Sequence, residues 1–377
     1  MRILFLRSNP VDPEPRVEKE VNTLNKNGFS SMILCWDRNS KHEPITKDLE
    51  LLNSKIKITR LGIKSKYGAG FPKNLFPLLK FQIKLFNWLM KNRDKFDAIH
   101  ACDLDTALIA CICSKILHKK FVYDIFDYYV DSYKVPPLLK KIIENIDRYV
   151  ISSADTTIIC SEKRKEQIAG TKPQNLVVIH NSPNEELIKK NISQNMALKS
   201  NTKTKLVYVG VLQDGRFLKE LAEIVIQKKN CELHLGGYGK YEKYFRTLSE
   251  KYENIFFYGK LSYLETLELE NNCDLMTAIY DPEKRNHYYA APNKFYEALM
   301  LGKPLIMIKN TGMSELVEKN NIGKVIDFNK NDLSQAIDEL IEKKDFWKDI
   351  SYAMKKLYKE KYCWELMEKR LISIYQN

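Results

Sequence analysis

The stretch "YAAPNKFYEALMLGKPLI", residues 289–306, gathers an amide, an ammonium and a carboxylate in a segment that is otherwise largely apolar. Asn293 and Lys294 precede Glu297 by four and three positions, so in a helix the three share one side of its first turns. Pro292 suits a first helical position, Gly302 followed by Pro304 is a stop signal, and the apolar run to Ile308 reads as an interior strand. Lys294 and the free amides of a helix N-terminus attract phosphate oxygens. A carboxylate one turn deeper is placed to accept two hydrogen bonds from a vicinal diol such as a ribose. The plainer reading of the same residues is an Asn293 cap beside an intrahelical Lys294–Glu297 pair, worth about 0.2–0.5 kcal/mol.

Other loops carry residues of the same chemical interest. "VLQDGRFLKEL" follows the strand-like "LVYVG". There Gly210 allows a sharp turn or a close approach to a ligand, and Arg216 lies at the opening of the next helix. A guanidinium beside helix amides suits a diphosphate, and it suits solvent equally well. "GGYGK" sits in a strand-to-helix context but lacks the full G-x-G-x-x-G spacing, so it says little about a dinucleotide. "RSNPVDPEPRVEKEV" is a proline-bearing loop leading into a helix with Arg16 near its start; it reads as an acceptor-side lip or as a stiffened surface loop. In "IHACDLDTA", Asp103 and Asp105 spell D-x-D, but with no third ligand in view they serve equally well as helix caps, and no metal is expected there.

These loops need a scaffold, and the apolar runs supply one. A first series, "RILFL", "SMILC", "KITRL", "DAIH", "KFVYD", "TTIIC" and "LVVIH", alternates with helical stretches. A second series, "KLVYVG", "CELHLG", "NIFFYG", "DLMTAI", "PLIMI" and "GKVID", does the same. Alternation of this kind predicts an α/β chain of two doubly wound parallel-sheet domains, with ligands beyond the carboxyl ends of the strands. The polar stretch over 186–203 reads as a linker between a first domain, 1–185, and a second, 204–345. At 377 residues and 44% hydrophobic content the chain buries a sizeable core. No stretch of about 20 residues is apolar and uncharged, so a spanning helix is not expected. The N-terminus reads as a first strand and not as a secretory leader. The eight cysteines lack the spacing of a zinc or redox motif and read as buried thiols in a reducing cytoplasm. A net charge of +13 fits an anionic membrane or phosphorylated small substrates, while the absence of any zinc-finger, RRM-like or helix-turn-helix pattern argues against nucleic acid.

In this order, "PEPRVEKEVNTLNKNGFSSMIL", "SSADTTIICSE", "VVIHNSPN", "YVGVLQDGRFLKEL" and "PNKFYEALMLGKPLI" resemble the retaining glycosyltransferases called group 1, or family 4, of the GT-B fold. The resemblance covers nearly the whole chain. It implies two Rossmann-like domains facing a cleft, with the last helices, over 346–377, crossing back to the first domain. It also implies transfer of a sugar from a nucleoside diphosphate sugar, UDP before GDP, with anomeric retention and no metal cofactor. Arg216 and Lys294 would neutralise the diphosphate and Glu297 would hold the ribose, with Gly210, Ala291, Pro292 and Asn293 also on the donor side. Arg16 and Asp103 are the acceptor-side candidates. Two positions depart from the family. Its first glutamate would fall at Tyr289, so contact with the donor sugar is expected from backbone amides around Tyr289 to Pro292. Its common histidine would fall at Phe126, which leaves Asp127 as the nearest polar candidate for transfer.

The expected protein is therefore a cytoplasmic enzyme, peripheral on the inner face of the plasma membrane, that works on a glycan or lipid-linked acceptor in surface polysaccharide synthesis. Two rivals share the reading: a non-hydrolysing UDP-N-acetylglucosamine 2-epimerase of the same fold, and an inactive nucleotide-sugar-binding membrane scaffold. In "KNLFPLLKFQIKLFNWLMKN", Lys80, Lys84, Asn87 and Lys91 fall on one helical side, with Lys64, Lys66 and Lys73 just upstream. This suits either an interfacial helix on anionic lipid or a core helix with a solvated stripe.

Overall fold

The computed structural model describes residues 1–65, 71–133, 135–186, 198 and 202–376. Lys66 and most of the linker expected over 186–203 lie outside the described residues. The chain forms two compact units, one of Met1–His180 with Met367–Asn377, the other of Asn181–Leu366.

In the first unit β1 (Arg2–Arg7) carries Ile3, Leu4, Phe5 and Leu6, all fully buried. A strand apolar on both faces belongs in the middle of a sheet covered on both sides. The remaining strands are β2 (Ser30–Asp37), β3 (His42–Glu50), β4 (Lys55–Gly62), β5 (Ala98–Cys102), β6 (Lys120–Ile125), β7 (Thr156–Ile159) and β8 (Leu176–Val178). They line up in the order β3-β4-β2-β1-β5-β6-β7-β8. Every pairing is parallel except β3 with β4. The edge strand β3 has no counterpart in the apolar series above. Its "HEPITKDLE" is exposed along most of its length and carries charges and a proline, as edge strands do.

Helix α1 (Pro15–Lys26) leads from β1 to β2, and α2 (Phe71–Lys91), α3 (Leu104–Leu117), α4 (Tyr129–Ser132) and α5 (Pro137–Ser153) follow. Of these, α2, α3 and α5 pack side by side. The terminal helix, Trp364–Gln376, belongs to this unit from Met367 onward. Its Tyr375 hydroxyl lies 2.6 Å from His100 Nδ1 of β5, and Arg370 donates to the Val178 carbonyl at 2.7 Å.

The second unit holds six parallel strands in the order β11-β10-β9-β12-β13-β14. These are β9 (Thr204–Val211), β10 (Cys231–Tyr238), β11 (Ile255–Phe257), β12 (Leu275–Ala278), β13 (Leu305–Ile308) and β14 (Gly323–Ile326). Alternate residues of β9 feed two cores: Leu206 and Tyr208 face one, Val207 and Val209 the other. The helix Asn293–Leu301 packs in the second of these cores through Phe295, Tyr296 and Leu299, against Tyr358 and Tyr362. It ends at Gly302, left-handed at φ 70°, the stop expected from the sequence.

Candidate functional site

Strand order reverses direction between β9 and β12 in the second unit, and between β1 and β5 in the first. In doubly wound sheets the loops beyond the carboxyl ends at such a switch point form the ligand crevice.

In the second unit the loop after β9 carries Arg216, just before the helix Leu218–Gln227. The segment after β12 leads through Tyr280, His287 and Tyr289 to the helix that opens at Asn293. Pro292 stands one position outside that helix, in extended conformation, and the Asn293 side chain accepts a 2.5 Å hydrogen bond from Asn181. Gly210 has φ 151°, and a Cβ there would stand 3.0 Å from the Lys294 ammonium. Gly237 of the "GGYGK" stretch serves the same crowding: a Cβ would fall 1.8 Å from the Gly210 carbonyl oxygen. These glycines let backbone and ammonium approach each other.

Arg216 and Lys294 lie over aromatic faces. The Arg216 guanidinium is 3.8 Å from the Tyr280 ring centre, and the Lys294 ammonium is 4.6 Å from that of Tyr208. Neither cation forms an ion pair among the described residues, and Arg216 Nη1 is buried without a hydrogen-bond acceptor. A buried charged donor left unpaired is costly, and the usual reason to retain it is an anion that binds there. Burial disfavours the Lys294 ammonium, but the Tyr208, Tyr280, Glu297 and Glu270 side chains outweigh that and hold it charged.

Glu297 is 4% exposed and hydrogen-bonded by the Tyr263 hydroxyl. Glu270, on the helix Tyr263–Asn272 that packs against Asn293–Leu301, is fully buried, with neither carboxyl oxygen hydrogen-bonded. Burial first, and the Glu297 charge second, push the Glu270 carboxyl well up. The Glu270 carboxyl thus favours its neutral form more than an exposed one does. Ala291 is partly buried against the core, and the Tyr289 ring meets Tyr288 edge-on at 4.9 Å. Tyr208, Tyr280, Tyr263 and Glu270 escaped the sequence reading; Tyr208 alone had a signal there, an aromatic two positions before a strand-end glycine.

The first unit's switch point is built from the same residue types, but its cations are neutralised. Arg16 does not line a lip. It is 5% exposed, donates to both Asp124 oxygens at 2.9 and 3.0 Å, and lies 3.1 Å from Glu20. It enters the interior because the buried Asp124 carboxylate needs a counter-charge. Asp124 stays below the usual carboxylate range because Arg16 and His100 outweigh its burial, while burial pushes the Glu20 carboxyl up to about 8. Glu20, His100 and Asp124 come within 4.8 Å of one another, close enough for a cation, yet the Arg16 guanidinium already binds both carboxylates.

Asp103 ion-pairs with Arg7 and accepts the Phe126 and Asp127 amides at 2.9 and 3.1 Å, while burial raises its carboxyl to about 6. Asp105 is buried 3.9 Å from Arg38, so the D-x-D pair is held by separate arginines. Phe126, at the position of the family's histidine, has the guanidinium groups of Arg7 and Arg16 4.4 and 4.7 Å from its ring centre. The Asp127 side chain is 55% exposed and ion-paired with Arg164 at 3.0 Å.

Residues 176–357 match the sequence profile of the family described as Glycosyl transferases group 1. The second unit, with the Arg216–Lys294 site, is thus a group 1 glycosyltransferase domain, and the whole chain has the GT-B fold. Solved structures similar to it include a sucrose-phosphate synthase from Thermosynechococcus elongatus, with a TM-score of 0.71 at 14% identity over 100% of this chain and 98% of that one. Anabaena Alr3699/HepE in complex with UDP matches with a TM-score of 0.67 at 14% identity over 100% of both chains, and has also been solved with UDP-glucose. A lipopolysaccharide outer core galactosyltransferase, WaaB, matches with a TM-score of 0.62 at 17% identity over 100% of this chain and 99% of that one. No curated protein sequence matches this one.

Proposed function

We propose that the protein is a retaining glycosyltransferase that moves a sugar from a nucleoside diphosphate sugar, a UDP-sugar before a GDP-sugar, to a glycan or lipid-linked acceptor in surface polysaccharide synthesis at the cytoplasmic side of the membrane. The observation that carries it is the buried, unpaired Arg216 Nη1 beside Lys294 at the second unit's switch point. Two cations and no paired acid are what a diphosphate requires. The UDP complexes of the Anabaena neighbour favour uridine as the base.

In this reading the glycosidic bond to the diphosphate breaks as Arg216 and Lys294 take up the growing negative charge on the leaving oxygen. That oxygen accepts the acceptor hydroxyl's proton on the same face, and the new glycosidic bond forms there with retention. Glu297 accepts hydrogen bonds from the two ribose hydroxyls. Backbone amides of Tyr289 to Pro292 contact the donor sugar. The positive charge comes from side chains, so the reaction runs without a metal cofactor.

Thermal shift with UDP, GDP, ADP and CMP tests the donor half, because a ligand bound only by the native state raises stability with its affinity. UDP is expected to give the largest shift; no shift with any nucleoside diphosphate contradicts the reading. Incubation with UDP-sugars and glycan acceptors then tests transfer. Recovery of an epimerised UDP-sugar, or tight UDP binding with no turnover, would point to an epimerase or a binding protein instead.

A further inference from the structure

We infer that His287 makes a third contact to the donor diphosphate through Nε2, and that the donor binds together with a proton on that nitrogen. The inference deepens the donor reading above and rests on it.

His287 belongs to the helical turn Arg285–Tyr288, on the segment that leads from β12 to Lys294. Backbone bonds fix that segment beside the Arg216 loop. The Asp281 amide donates to the carbonyl of Gly215, the residue before Arg216, at 3.0 Å. The Gly312 amide donates to the His287 carbonyl at 2.9 Å. The Tyr280 ring is shared between the two side chains. Its centre lies 3.8 Å from the Arg216 guanidinium and 5.2 Å from the imidazole, which meets it edge-on. The imidazole and the unpaired guanidinium thus border one aromatic ring.

The tautomer follows from the partner of Nδ1. That nitrogen is 2.8 Å from the Asp281 carbonyl oxygen, which can only accept, so Nδ1 carries the hydrogen. In the neutral ring Nε2 therefore presents a lone pair, and it has no hydrogen-bond partner among the described residues. Burial disfavours a second proton; the Arg216 and Lys284 charges add to that, and the Asp281 carbonyl and carboxylate oppose it. The net effect holds the ring below the ordinary histidine range. Tyr280 offers this ring no charge, and the Gly312 loop offers it a backbone amide.

A lone pair repels phosphate oxygens. A second proton, taken from solvent, turns Nε2 into a donor and the ring into a cation, and the negative diphosphate supplies the charge that favours this form. The proton returns to solvent when the diphosphate leaves. No other atom changes hands.

The test is calorimetry of UDP from about pH 6 to about pH 9, a span covering histidine ionisation, against the wild type, His287→Asn and His287→Gln. Asn keeps an amide donor for the Asp281 carbonyl and has nothing at the Nε2 position, whereas Gln places there an amide that does not titrate. The terminal phosphate of UDP, with its second pKa of about 6, titrates alike in all three, so affinity ratios isolate the protein's proton. His287→Asn should bind UDP about tenfold more weakly than the wild type near about pH 6, the decade that about 1.4 kcal/mol represents, and equally well near about pH 9. His287→Gln should bind more tightly than His287→Asn throughout. Uridine, which has no phosphate, should bind all three alike and certifies that the site is folded. Equal UDP affinity in the wild type and His287→Asn, or a ratio that does not change with pH, overturns the inference and leaves the donor reading standing. A wild type that binds no UDP at any pH overturns both.

Discussion

The two switch points differ in what happens to their cations. At the first, Arg7, Arg16, Arg38 and Arg164 each meet a carboxylate: Asp103, Asp124, Asp105 and Asp127. At the second, Arg216 and Lys294 meet aromatic faces, and one buried guanidinium nitrogen has no acceptor. The sheets that carry them are built alike, with a strand-order reversal and loops beyond the carboxyl ends. The difference lies in the acids. Arginines ion-paired with acids stabilise a fold, whereas cations that form no ion pair are available to a ligand.

The largest effect should come from removing a paired cation. Arg16→Ala leaves the Asp124 charge buried without its counter-charge, which costs about 3–5 kcal/mol of stability. Denaturant unfolding measures it, and a loss below about 1 kcal/mol, the worth of an exposed pair, would break the comparison. Arg216→Ala should leave stability nearly unchanged in the same assay.

Next comes Glu297→Ala, which forfeits charge-assisted hydrogen bonds worth roughly 1.5–3 kcal/mol. Affinity for both UDP and uridine should then fall about 10- to 100-fold, because the ribose is common to them. If the group only supports a helix start, calorimetry will give wild-type affinities for both ligands.

A smaller effect, read in pH dependence, belongs to Glu270. Its folded carboxyl holds a proton that the unfolded chain releases above about pH 4.3, so its contribution is present in acid and is lost as pH rises. Glu270→Gln keeps the neutral shape and should flatten the decline in melting temperature toward neutral pH, with UDP affinity unchanged. A decline as steep as that of the wild type would mean that Glu270 is ionised in the native protein. Asp147, fully buried in the first unit and raised by burial to about 7, has the same sign, so Asp147→Asn provides a matched control.

The smallest effect on binding is expected from Asp127→Asn. Its Arg164 contact is half in solvent, so stability and UDP affinity should hold while turnover falls. Unchanged turnover would leave Asp127 as a surface charge.

Buried strands such as "RILFL" and "PLIMI" were legible in the sequence because a covered parallel sheet requires unbroken apolar runs. The charged edge strand His42–Glu50 was not, since only one neighbour and solvent shape it. Within the site, Lys294 and Glu297 were readable from helical spacing, and Gly210 from its place at a strand end. Glu270 was not, because its meaning depends on a packing contact between helices distant in sequence. Arg16, an acceptor-side candidate by its place near a helix start, was not legible as a buried ion-pair partner, because only the fold brings Asp124, 108 positions away, against it.

The central claim is that Arg216 and Lys294 are left unpaired for a diphosphate. Calorimetry of UDP and uridine against the wild type, Arg216→Ala and Lys294→Ala tests it most directly. Each substitution should weaken UDP about 10- to 100-fold, as the loss of roughly 1.5–3 kcal/mol of charged hydrogen bonding requires, and leave uridine binding unchanged. Wild-type UDP affinity in a folded Arg216→Ala protein would contradict the account.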